Sequence, residues 1–179
     1  EATTCTEQTD ASRENIMAMV IGYGSNIRGD RAAGRAVAEA IALRESPGVW
    51  TYSVDHLTRA HAEAMADVGI VVFVGTYDAD EDDPVRMTTV ADVPSPGNTH
   101  YVNSPESLLA LFRARHGRRP EAWTVRIPAV QASLHAALSP SAEEKVMEAV
   151  DQVLDLLEAS REESGRRTVK QRMRELLRL

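Results

Sequence analysis

The residues best placed to do chemistry share one loop. GYGSNIRGDRAAG, residues 22–34, follows the apolar run IMAMVI and sets Asp30 and Arg31 side by side where a helix begins. A carboxylate there can hold a cation, whereas a guanidinium at a helix N-terminus, with Arg28 close by, favours an anion. The glycines at 22, 24 and 29 do not match GxGxxG, and no Gly-Lys-Ser/Thr follows, so neither common phosphate cradle is present. On their own, these glycines fit a tight turn from strand to helix.

Other candidates are weaker. Asp30, His100 and the acidic stretch Asp78–Asp83 could together hold a metal, but there is no HExxH and no CxxC. His56 and His61 are five residues apart and fall on different helical faces. The acidic stretch reads as a solvated surface loop. Ser25 lies in GYGSN rather than GxSxG, and Cys5 lies in a polar leader, so neither has the strained elbow that exposes a nucleophile. His116 and His135 read as a helix-end residue and a loop residue.

Two kinds of element must position these residues. Short apolar runs at 16–23, 49–54, 69–75 and 122–128 predict strands, and a further one is expected within VRMTTVADV after the acidic loop. Helical spacing appears at 32–44, at 57–67 with Thr58 as N-cap, at 104–117 and at 139–159. Ser104 caps the third of these with Pro105 in its first turn, but Ser107 stands where a capping box wants Glu, which predicts an incomplete box. Pro94–Asn98 must be irregular. The run GIVVFVG is apolar throughout, which implies a central strand buried on both faces. Strand and helix alternate along the chain, and parallel strands need helical crossovers, so the expected fold is a three-layer α/β/α sandwich with a mostly parallel central sheet. Sites in such sheets lie beyond the carboxyl ends of the strands.

The 179 residues, 43% of them hydrophobic, suit one sizeable core. Residues 1–15 read as a polar, disordered leader, 16–160 as the α/β domain, and 161–179 as a basic amphipathic helix set off by a break at Gly165. That helix is a candidate for docking on a partner. A formal charge of −7 and an isoelectric point near 5.3 argue against nucleic acid or an anionic membrane as partner. A single cysteine and no long apolar stretch lead to the expectation of a cytoplasmic protein.

Four segments taken together, 21–41, 67–75, 99–128 and 138–157, resemble the hydrogenase maturation protease family. The resemblance implies an endopeptidase that removes the C-terminal extension of a nickel-loaded nickel-iron hydrogenase large subunit. It also implies that the enzyme keeps no cofactor and reads the nickel carried by its substrate. Metal-facing residues in that family are the second of two adjacent acids after the first strand, an aspartate ending the central strand, and a histidine before the third helix. In this chain Asp30 is the first acid, Arg31 takes the place of the second, Gly75 replaces the aspartate in Val74-Gly75-Thr76, and His100 falls where the histidine does. The resemblance thus implies Asp30 and His100 as catalytic and nickel-contacting residues if activity is kept, with Asp78 or Asp80 able to supply the missing carboxylate. The alternative is a catalytically silent member, a binding or structural subunit of a hydrogenase-like or larger assembly, in which Arg28 and Arg31 bind an anion or partner.

Overall fold

The computed structural model describes residues 17–91 and 103–176. Five strands, β1 (Ala18–Tyr23), β2 (Val49–Val54), β3 (Ile70–Asp78), β4 (Arg86–Thr89) and β5 (Glu121–Ala129), form one sheet in the order β2-β1-β3-β5-β4. All neighbours run parallel except β4, which pairs antiparallel with β5 at the edge. The helices are α1 (Ala33–Ala42), α2 (Arg59–Ala64), α3 (Pro105–His116) and α4 (Pro140–Leu176), with a single 3-10 turn at Gly29–Ala32 leading into α1.

Alternate residues of the central strands feed two separate cores. Val20, Val72, Val74 and Val125 pack with Val37 and Ile41 of α1 and Val146, Val150, Val153 and Leu157 of α4. Met19, Ile21, Val71 and Phe73 pack on the other face with Met65 beside α2 and with Leu108 and Phe112 of α3. Burial on both faces explains why β1 and β3 read as continuous apolar runs, and each large side chain so buried contributes about 1.5–3 kcal/mol. The sandwich expected from the alternation of elements is the fold observed.

β1 lies between β2 and β3, so the chain leaves it in one direction across the sheet and later returns on its other side. This reversal opens a crevice beyond the carboxyl ends of β1 and β3, the place where open α/β sheets bind ligands. α1 sits close over it: a Cβ added at Gly34 would come within 2.4 Å of the Val74 carbonyl oxygen.

Several element boundaries differ from expectation. β3 continues past Gly75 to Asp78 because β5 keeps pairing with it, through Asp78 opposite Ala129. The capping box of α3 is complete: Ser107 N–H donates to Ser104 Oγ and Ser104 N–H donates to Ser107 Oγ, both at 3.2 Å. A serine at the third position reaches back as well as a glutamate does. The expected break at Gly165 is absent, and α4 runs unbroken from Pro140 to Leu176, absorbing the described part of the basic tail. One exposed glycine costs a helix about 1 kcal/mol, too little to end it between good helix formers. The leader and Pro94–Asn98 lie outside the described residues.

Candidate functional site

Asp30 is fully buried. Its backbone N–H donates to the Gln131 carbonyl at 2.8 Å. Its carboxylate accepts from Val130 N–H at 3.1 Å, Gln131 N–H at 2.9 Å, Ser139 N–H at 2.8 Å and Ser139 Oγ at 3.0 Å. Gly29 makes the turn that inserts it, with φ at +50° in the left-handed region and no room for a Cβ, which would meet Gln131 O at 2.6 Å. Burial by itself would push this carboxyl up, but the bonds from Ser139, Gln131 and Val130 together outweigh it and hold the group below the usual aspartate range. Ser139 Oγ also accepts from Ala142 N–H at 3.2 Å, capping α4. Asp30 therefore ties the loop after β1 to the segment between β5 and α4, with both its oxygens engaged and neither open to a ligand.

Arg31 turns the other way, to form a salt bridge with Asp78 at the end of β3. The pair links the 3-10 turn after β1 to the end of β3. The Asp78 side chain is 85% exposed and that of Arg31 31%, so the bridge sits at the surface and neutralises charge more than it adds stability.

Within the crevice, Tyr23 lies against Gly75. A Cβ added at Gly75 would stand 2.7 Å from Tyr23 Cζ and 2.8 Å from its hydroxyl oxygen. The ring occupies the space into which any side chain at position 75 would rise. Burial raises the Tyr23 phenol above its ordinary value, Arg126 opposes that rise, and Glu106 adds to it. The group is a neutral hydrogen-bond donor at physiological pH. Beside it lies a polar cavity of about 430 Å³ between β4, β5 and the N-terminus of α3.

With this geometry the solved structures that superpose on the chain are informative. The NiFe hydrogenase maturation protease HycI from Thermococcus kodakarensis KOD1 matches with a TM-score of 0.61 at 18% identity, over 80% of this chain and 94% of that one. The hydrogenase maturating endopeptidase HybD from E. coli matches with a TM-score of 0.59 at 21% identity, over 81% and 94%. A hydrogenase 2 maturation peptidase from a Thaumarchaeota archaeon matches with a TM-score of 0.57 at 17% identity, over 78% and 97%. The chain has the fold of the hydrogenase maturation proteases. No protein-family model matches the sequence, and no curated protein does.

Within the maturation-protease fold, the described residues singled out from the sequence take separate roles. Asp30 is sealed, Arg31 is paired with Asp78, and Arg28 is exposed with no ion pair among the described residues. His100 lies outside the described residues. Asp80 belongs to a loop closed on itself by Asp80 N–H donating to Asp83 Oδ2 at 3.0 Å. Among the described residues no three His, Cys, Asp or Glu side chains are grouped to hold a metal ion. No described helix is long and apolar enough to cross a membrane. Sequence reading missed Tyr23, Ser139 and Arg126. A tyrosine ending β1 and a glycine on β3 are both plain in the sequence, but only the strand register puts them face to face.

Proposed function

We propose that this chain is a catalytically silent protein of the maturation-protease fold that binds a nickel-iron hydrogenase large subunit, or a related subunit, without cutting it. The observation that carries this reading is the Tyr23 ring seated on Gly75. Where the resemblance expects a carboxylate facing the substrate's nickel, there is a glycine with the Tyr23 ring over it, and a side chain at that position would have to displace the ring. Arg31 compounds the loss, since a guanidinium keeps its proton and cannot ligate a metal. Were it to leave Asp78 and approach a cation to 4 Å, each pair of unit charges would repel by about 4 kcal/mol at an effective dielectric near 20. The partner assignment rests on the fold and on the names of the proteins that share it.

The test is to incubate the full chain with a nickel-loaded large-subunit precursor and follow both the subunit's length and its co-elution. The expected result is a complex with an intact subunit. A shortened subunit would show that the chemistry survives, and failure to co-elute would remove the partner.

A further inference from the structure

The polar cavity beside Tyr23 is lined by Tyr23, Thr88, Ser104, Glu106, Thr124 and Arg126, among others. Its unusual feature is a charge placed against the grain of the sheet. Arg86 on β4 stands directly opposite Arg126 on β5, and like charges at opposed positions of an antiparallel pair repel. Arg86 is drawn aside: its guanidinium lies 4.2 Å over the Tyr77 ring and 3.6 Å from Asp83. Arg126 is exposed to solvent and has no such protein partner: it makes no ion pair or hydrogen bond among the described residues, and it lines the cavity.

The surroundings of Arg126 suit a particular anion. The Tyr23 phenol remains protonated, and the Thr88 and Thr124 hydroxyls, 2.9 Å apart, line the wall next to it. Glu106 contributes one negative charge, which doubles the repulsion of a dianion relative to a monoanion. A guanidinium pairs best with a planar, two-oxygen acceptor. About 430 Å³ lies within the range of small-ligand sites and exceeds what a lone inorganic ion needs. We infer that this cavity binds a monocarboxylate, anchored on Arg126, supplied either by a small organic acid or by the C-terminus of a polypeptide. The site stands independently of whether the chain cuts or holds a hydrogenase subunit.

The probes are sodium acetate, N-acetylglycylglycine, the C-terminal amide of that dipeptide, and inorganic phosphate, titrated into the full chain by calorimetry. The dipeptide acid is expected to bind at least tenfold more tightly than its amide. Arg126→Met should lower its affinity at least tenfold and Arg126→Lys by less, while Arg44→Met, in the turn between α1 and β2, should leave it unchanged. Circular dichroism identifies any variant that has lost its fold, and Arg126→Lys keeps the charge should Arg126→Met not fold. Acetate binding within tenfold of the dipeptide acid would assign the site to small acids; a larger advantage for the dipeptide would assign it to a chain terminus. The inference is overturned if neither acid binds, if the amide binds as well as the acid, if phosphate binds more tightly than both acids, or if substitution of Arg126 changes nothing.

Discussion

Asp30 shows how far the chemistry of a residue depends on what folds onto it. The family resemblance implies a metal-facing role for it; in the structure its two oxygens take four hydrogen bonds from residues about a hundred positions away. Nothing near Asp30 in the sequence announces Val130, Gln131 or Ser139, so its importance was legible and its role was not. Asp30→Asn keeps the shape but turns one acceptor into a donor facing donors, and should cost about 2–3 kcal/mol. At about 2–4 °C per kcal/mol for a chain of this size, the midpoint of thermal unfolding should fall accordingly. Because the folded carboxyl lies below its unfolded value, its contribution is present above about pH 4 and is lost as pH falls through the folded value. Asp30→Asn should therefore lose less stability than the wild type does between pH 5 and pH 2, as read from denaturant midpoints. Gly75 invites a second measurement. Gly75→Ala places a methyl group 2.7 Å from the Tyr23 ring and should destabilise by about 1–3 kcal/mol. Adding Tyr23→Val should recover most of that loss, and a double-mutant cycle that shows simple additivity would refute the contact.

At the scale of elements, the periodic signals locate the described strands and α-helices, and the differences at their ends have local causes. β3 runs three residues past Gly75 because Thr76, Tyr77 and Asp78, which look like a loop in the sequence, pair with β5. α4 passes through Gly165 because a glycine among charged residues, though it resembles a stop, costs only about 1 kcal/mol. The N-terminus of α2 carries a device that no pattern predicted: His61 Nδ1 accepts from Thr58 N–H at 2.9 Å, with the imidazole buried and edge-on to Tyr52. Burial is the main cause that lowers the His61 value, and the nearby His56 adds to the lowering. An acceptor at Nδ1 requires the neutral ring, and protonation would remove it. The sign follows from the depressed value: α2 is fully supported above about pH 6.5 and loses support as pH falls through the folded value. The hydrogen-exchange protection factor of Thr58, corrected for intrinsic rates, should drop between pH 7 and pH 5, while that of Leu108 in α3 stays constant. His61→Gln should abolish the pH dependence.

For the molecule as a whole, topology and charge separate cleanly. The alternation of strand and helix specified a sandwich with its crevice at the reversal between β1 and β3, and that framework is held by two cores that do not involve the crevice residues Arg31, Gly75 or Asp78. The framework was legible because it rests on many repeated local signals. The state of the crevice was not, because it depends on pairs such as Arg31 with Asp78 and Tyr23 with Gly75, which the sequence leaves 47 and 52 positions apart. If neutralisation and filling are what keep a cation out, reversing both should admit one. Tyr23→Val, Arg31→Glu and Gly75→Asp in one chain would empty the ring's space and change the summed charge at positions 31, 75 and 78 from 0 to −3, by the loss of one positive and the gain of two negative charges. Carboxylates are competent ligands, and nickel stands high among the divalent metals in general affinity. The triple variant should retain the wild-type far-ultraviolet spectrum and bind Ni²⁺ measurably by calorimetry, while the wild type gives no saturable heat. Equal nickel binding by the two proteins would mean that something other than Tyr23 and Arg31 governs the crevice, and the claim of catalytic silence would lose its physical basis.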